Sequence, residues 1–271
     1  MSGTTTSPPS SRVRRAAWLG VLVGGVVAYV VLLDVMVRTQ NLNYFPSLLL
    51  VGAITVPMTV LVFAESGGRR IPVRGGVVAA TAIAGGIVGT VAAGVLEYRA
   101  ERELGAGAML LVGFIEEAAK LVVPLLVLLV TRPRDPRGGI VVGVASGMGF
   151  AALETMGYGF QELLRAGNLA AVEDTLLLRA LLSPAGHVAW TGLTVAMLWR
   201  VPTAAHRGRA LVKFVGAYLA AVVLHTVWDD SSALSVHVVV VVVSVTVLLV
   251  LTHRAHVDRA PRDRLTASRA A

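Results

Sequence analysis

Apolar residues fall into eight blocks along the chain, at 16–37, 46–64, 76–96, 106–130, 139–164, 176–200, 210–229 and 233–252. Each is long enough for a helix, rising about 1.5 Å per residue, to cross a hydrocarbon core about 30 Å thick. None shows the period-2 alternation of barrel strands. Only helices and closed barrels satisfy every backbone group in lipid. The expected fold is therefore all-α, a polytopic transmembrane bundle of about eight spans. It forms one membrane-embedded domain over 16–252, between a polar tail (1–15) and a basic tail (253–271). The block behind Arg12, Arg14 and Arg15 resembles a signal peptide in its charged start. It is long and lacks a small-residue cleavage exit, so it reads as a retained first span.

Composition agrees, with 55% hydrophobic and 15% charged residues, too few charges to cover a soluble domain of this length. A net charge of +8 would point to nucleic acid in a soluble protein, so the positions of the basic residues decide its meaning. Arg12, Arg14, Arg15, Arg69, Arg70, Arg74, Arg132, Arg134, Arg137, Arg200, Arg207, Arg209, Lys213 and the tail arginines fall on one side of the alternating loops. Arg38, Arg99, Arg102 and Arg165 fall on the other. That asymmetry is a topology signal, placing both termini in the cytoplasm. The partner it implies is membrane lipid, with an anionic inner leaflet, and not nucleic acid. The expected location is the cell membrane, as a multi-pass protein. Cysteine is absent, which excludes thiolate and disulfide chemistry.

Against this background several polar residues stand out. The fourth block carries Glu116, Glu117 and Lys120, and the fifth carries Glu154 after Phe150. The sixth carries Arg179 and His187, followed by Thr191 and Gly192, and the seventh ends with His225 and Asp229. A charge at the bilayer centre costs roughly 2.5–3.5 kcal/mol, which makes each a functional candidate. Counted from the span ends, Glu116, Glu154 and His187 lie at one depth near the midplane. His225 is placed shallower, either capping the site or lying in a longer span. Helical spacing lets Glu116 pair with Lys120 and His225 with Asp229. Glu117 lies about 100° round the helix from Glu116, so it is expected to bond a neighbouring helix while Glu116 faces the cavity.

The simpler reading of a lone buried polar group is a helix–helix hydrogen bond, and for Glu117, Arg179 and Asp229 it weighs as much as a functional one. His237 has no partner at helical spacing and reads as structural. In the fifth span Gly143, Ala145, Gly147 and Gly149 make a smooth face suited to close helix packing.

Glu-Glu-x-x-Lys (116, 117, 120), Phe-x-x-x-Glu (150, 154), the later Arg179, His187 and Thr191-Gly192, and His-x-x-x-Asp (225, 229) resemble the PrsW family of intramembrane proteases. That family is similar to the type II CAAX prenyl endopeptidases, whose pattern is Glu-Glu-x-x-x-Arg, Phe-x-x-x-His and His-x-x-x-Asn. The resemblance covers about residues 106–230. It implies an endopeptidase acting inside the bilayer on a membrane-anchored protein, with Glu116 as the catalytic glutamate. Glu117, Glu154, His187, His225 and Asp229 would be the other catalytic-site residues. Against the prenyl enzymes, Glu154 replaces histidine and Asp229 replaces asparagine, while a lysine one position earlier replaces arginine.

Two chemistries are open at this point. In one, Glu116 is a general base that activates water without a metal, assisted by His187 and His225. In the other, Glu154, His187 and His225 hold a zinc ion. The metal-free mechanism is preferred. The rival functions are a proton- or cation-coupled transporter, against which no repeated halves are found, and a non-catalytic scaffold.

Overall fold

The protein, described here by a computed structural model, is resolved in detail over residues 11–69, 71, 73–104, 109–133 and 135–257. Its helices are α1 (Ser11–Thr39), α2 (Phe45–Ser66), α3 (Gly75–Leu104), α4 (Met109–Thr131), α5 (Gly138–Ala166), α6 (Leu169–Leu182), α7 (His187–Leu198), α8 (Arg207–Asp230) and α9 (Leu234–Val257). No strand occurs among the described residues. The chain is an all-α polytopic membrane protein.

Seven segments are long and apolar enough to cross a membrane, Val13–Thr39, Leu42–Ser66, Gly75–Ala100, Gly138–Ala166, Leu169–Leu198, Arg207–Asp230 and Leu234–Val257. The eighth expected span, α4, has 23 residues and differs in carrying Glu116, Glu117 and Lys120 in an otherwise apolar run. All three side chains are buried. Outward faces are apolar instead, as lipid demands: Val23, Val26, Val27 and Val30 on α1 and Val238, Val239 and Val242 on α9 are exposed.

The helix α5 is the axis of the bundle, buried almost without interruption from Gly138 to Ala152. It packs mainly on α3, α7 and α2, and glycine makes these contacts close. A Cβ on Gly149 would lie 1.9 Å from the Ala82 carbonyl oxygen of α3. On another face, Gly139, Gly143 and Gly147 recur every four residues against α7, where added Cβ atoms would stand 2.4–2.8 Å from the carbonyl oxygens of Val195, Thr191 and His187. Such separations require bare backbone on α5.

Two departures from the sequence reading concern boundaries. The sixth span is not one continuous helix over 176–200. It begins at Leu169, capped by Asn168, whose side chain accepts from the Ala171 N–H at 3.0 Å. It then breaks into a 3₁₀ turn at Ser183–Ala185. Pro184 there has no N–H to continue the ladder. The basic tail also starts later than 253, because α9 continues to Val257 and buries His256. A His256 ring nitrogen bonds the Arg69 carbonyl oxygen at 2.9 Å, and the Arg14 guanidinium donates to the Gly68 carbonyl. The start of α1, the α2–α3 connection and the end of α9 thus meet at one end of the bundle, as an even number of crossings requires. The outer parts of both tails, 1–10 and 258–271, lie outside the described residues.

Candidate active site

The centre of the site is built by α4. Pro124 lacks the N–H that would bond the Lys120 carbonyl four residues earlier. The Ser146 hydroxyl of α5 donates to that carbonyl instead, at 2.9 Å. The proline bend and the α4–α5 contact are thereby locked together at Lys120. Toward α8, Gly113 allows a close approach, since a Cβ there would lie 2.7 Å from Thr226 Oγ1. The Tyr218 hydroxyl of α8 donates to the Phe114 carbonyl at 2.9 Å. Glu116, Glu117 and Lys120 follow on the next turn.

Lys120 is fully buried, and its ammonium meets three acceptors. It donates to Glu116 Oε2 at 3.0 Å, to Glu117 Oε1 at 2.8 Å and to His187 Nδ1 at 2.6 Å. An ammonium has three N–H groups, so all are used. The ring of Phe150 lies 4.3 Å from the same nitrogen, adding a cation–π contact. Since His187 Nδ1 accepts, its proton belongs on Nε2, which stands 2.9 Å from Glu154 Oε2. Glu154 in turn accepts from Arg179 Nη2 at 2.6 Å. The Arg179 guanidinium carbon lies over the Tyr158 ring, 3.9 Å from its centroid.

His225, buried on α8, closes the other side. Its Nδ1 is 3.0 Å from Glu117 Oε1, and its Nε2 is 3.1 Å from Asp229 Oδ2 and 3.4 Å from Glu116 Oε2. Both ring nitrogens face carboxylates, the arrangement that an imidazolium satisfies with two N–H donors. Trp190 of α7 touches both histidines, edge-on to His187 with centroids 5.6 Å apart and tilted against His225 at 5.1 Å. Its indole N–H donates to Ser244 on α9 at 2.9 Å, which fixes this apolar lid.

The break in the sixth span positions His187 as the first residue of α7. Gly186, at the N-cap, provides no side-chain cap, so the first N–H groups of α7 lack helical acceptors. The positive end of the helix dipole is thereby set beside the histidine. Gly147 sets its distance from α5.

All six candidate residues, Glu116, Glu117, Glu154, His187, His225 and Asp229, therefore join one continuous polar network with Lys120 and Arg179. His225 does not cap the site from above; it lies level with Glu116. Glu117 bonds α8 through His225, and the exposed Asp229 is the second carboxylate of that histidine. His237 bonds the Trp228 carbonyl at 3.0 Å, away from the network. One member was not singled out from sequence. Glu97 of α3 is half-buried, with its Oε1 shielded inside the bundle and near enough to Glu116, Glu154 and Lys120 to feel their charges. The block appeared to end at Leu96, because Arg99, Glu101, Arg102 and Glu103 follow, but the helix continues to Leu104.

A zinc ion would need three or four free donors at one point. The trio expected from sequence, Glu154, His187 and His225, is not the one the fold groups. Instead Glu116, His187 and His225 each offer a ligand atom within 4.8 Å of the other two, and their chemistry suits zinc. The lone pairs are engaged, however. His187 has Lys120 on Nδ1 and Glu154 on Nε2, and His225 has a carboxylate on each nitrogen. An ammonium already bonds Glu116 and His187, where a second cation would meet it at contact range. As arranged, these residues do not fit a metal.

Comparison with known proteins agrees with the residue pattern. The sequence model of the PrsW family intramembrane metalloproteases matches residues 74–252, which include every residue of the network. No curated protein and no solved structure matches the chain. The chain belongs to the PrsW family and is an intramembrane protease.

Proposed function

We propose that this PrsW-family protease cleaves a peptide bond of a membrane-anchored protein at the level of the Glu116 network in the cell membrane, using Glu116 as general base and no metal. The observation that carries this reading is the setting of one carboxylate oxygen: Lys120 Nζ donates to Glu116 Oε2 at 3.0 Å, and His225 Nε2 stands 3.4 Å from the same oxygen. A carboxylate so held is oriented by its neighbours inside the bundle. Membrane lipid surrounds the bundle, and nucleic acid has no part in the reading.

Hydrolysis then divides among the residues as follows. Glu116 takes a proton from a water, and the hydroxide formed attacks the scissile carbonyl carbon. Negative charge on the carbonyl oxygen is stabilised by the N–H groups of the uncapped first turn of α7. His225, held between Glu117 and Asp229, gives a proton to the leaving nitrogen. Glu154 and Arg179 hold the His187 ring, and His187 together with Glu117 holds Lys120. The substrate is a single-span or lipid-anchored protein, because only a chain already in the bilayer reaches this depth. The distant likeness to prenyl endopeptidases supports the same glutamate chemistry.

The test uses purified full-length protein in liposomes with a panel of single-span reporter proteins tagged at both ends. Wild type yields paired fragments whose junction lies within or at the edge of the span, and the Glu116→Gln protein does not. Cleavage confined to a soluble loop, or equal cleavage by both proteins, overturns the reading.

A further inference from the structure

The α5–α6 connection lies at the end of the bundle away from both chain termini. The two helices touch there at Gly159, where a Cβ would lie 3.1 Å from Leu176. Beside this contact is a cleft of about 510 Å³, the size of a ligand site. Tyr158 and Gln161 of α5 line one wall, and Thr175 and Leu178 of α6 line the other. Arg179 lies at the inner end. It stands ten residues along α6 from Leu169, a depth of about 15 Å at helical rise.

The cleft leads to the catalytic network, since Arg179 donates to Glu154 at 2.6 Å and Glu154 stands 2.9 Å from His187 Nε2. Its lining sets neutral polar groups among apolar ones. The Gln161 amide and the Thr175 hydroxyl have no hydrogen-bond partner among the described residues. Tyr158 and Leu178 are exposed beside them. Both cations of the cleft are already taken, Arg165 by Glu162 at 2.5 and 2.9 Å and Arg179 by Glu154. An anionic lipid headgroup therefore finds no free charge here. The backbone of an extended peptide does find partners, because its N–H and C=O groups match an amide and a hydroxyl.

We propose that this cleft is a substrate subsite. It holds an extended segment of the substrate, between the scissile bond and the membrane face opposite the protease termini. Gln161 and Thr175 bond the backbone of that segment, and Tyr158 and Leu178 pack against its apolar side chains. A path of about 15 Å takes about four or five extended residues at about 3.3 Å each. Arg179 is the floor of the subsite and not its ligand, because Glu154 and the Tyr158 ring occupy its guanidinium. The proposal deepens the protease reading and rests on it: selection of substrates falls on residues that flank the cleaved bond.

The chain has no cysteine, so a single introduced one reports contact without background. Full-length Thr175→Cys, carried on Glu116→Gln to keep the reporter whole, is oxidised in liposomes with tagged reporters. Each reporter bears one cysteine, moved stepwise along either flank of its span. Disulfides should form with the flank on the face opposite the protease termini and not with the other. In parallel, Gln161→Trp and Thr175→Trp fill the cleft from its two walls on the active protein. Each should raise KM about tenfold with kcat unchanged, the mark of lost ground-state binding on the scale of one hydrogen bond. Leu164→Trp, exposed on α5 outside the cleft, should leave both constants unchanged. Gln161 is exposed, so its variant decides the matter if Thr175→Trp fails to fold. Cross-linking to neither flank, or equally to both, overturns the proposal. So does a wild-type KM in Gln161→Trp, the result that a lipid-filled cleft would give. A wild-type protein that cleaves no reporter would instead overturn the protease reading, and the subsite with it.

Discussion

Lys120 Nζ lies 2.6 Å from His187 Nδ1, joining α4 to the first residue of α7 across the middle of the bundle. The contact places an ammonium between Glu116 and His187, two of the three residues whose ligand atoms cluster. It also explains why Lys120 can be fully buried in lipid surroundings: Glu116 and Glu117 take its other two N–H groups. Lys120 is thus the cation at the centre of the described network.

Replacing that cation should be severe. Lys120→Met leaves two neighbouring carboxylates without a counter-charge, and removing one partner of a buried ion pair costs about 3–5 kcal/mol. Turnover should fall by about 10²-fold, since Glu116 and His187 lose their common anchor. Lys120→Arg should not rescue it, because a planar guanidinium cannot meet three acceptors arranged about one nitrogen. Cleavage rate and detergent-resistant unfolding temperature, measured on both variants, check this.

A metal-free site predicts insensitivity to metal removal. Purified protein should contain well under one zinc per chain by mass spectrometry. Cleavage should survive dialysis against 1,10-phenanthroline at unchanged rate. Loss of activity that zinc restores would mean that Lys120 gives way to an ion, with Glu116, His187 and His225 as its ligands.

The parts of this arrangement differ in how far they could be read from residues alone. The eight apolar blocks are visible because lipid demands about twenty apolar residues wherever the chain crosses. The buried polar groups of the fourth to seventh blocks are visible because each contradicts its surroundings. Pairings within one helix, Glu116 with Lys120 and His225 with Asp229, follow from helical spacing. Pairings between helices do not, and the link from Lys120 to His187 depends on where α7 begins. That start was written in Ser183-Pro184-Ala185-Gly186, but apolarity alone runs through it. Glu97 was hidden for the opposite reason, since α3 continues as helix past the last apolar residues. The fold brings Glu116, and not Glu154, into one cluster with the two histidines, because sequence order does not tell which side of the His187 ring Glu154 occupies.

The glycine face of α5 should be as sensitive as the charged residues. Gly147→Val would push a side chain against the His187 carbonyl, where even a Cβ would lie at 2.4 Å. Overpacking of this kind costs about 1–3 kcal/mol, and a displacement of about 1 Å at His187 is enough to lower turnover about 10²-fold. Gly157→Val on the same helix, with open space around it, should retain activity. Helical content by circular dichroism, compared with cleavage rate, separates displacement from unfolding.

Arg179 tests how far the network extends. It holds Glu154, which holds His187, so Arg179→Met should lower kcat about tenfold, through loss of a charge-assisted hydrogen bond. The KM for the reporter should change little if the arginine acts on the ring and not on substrate. A rise in KM with kcat unchanged would place Arg179 in substrate binding instead.

The central claim is that the Glu116 carboxylate takes the proton from water. The most direct measurement is single-turnover cleavage of the tagged reporter by Glu116→Gln in liposomes, at protein levels matched to wild type. The substitution keeps the shape of the side chain and removes the proton acceptor. A rate lower by about 10²–10⁴-fold, with reporter binding retained, is the predicted result. Cleavage at the wild-type rate would contradict it and move the base to another carboxylate of the network.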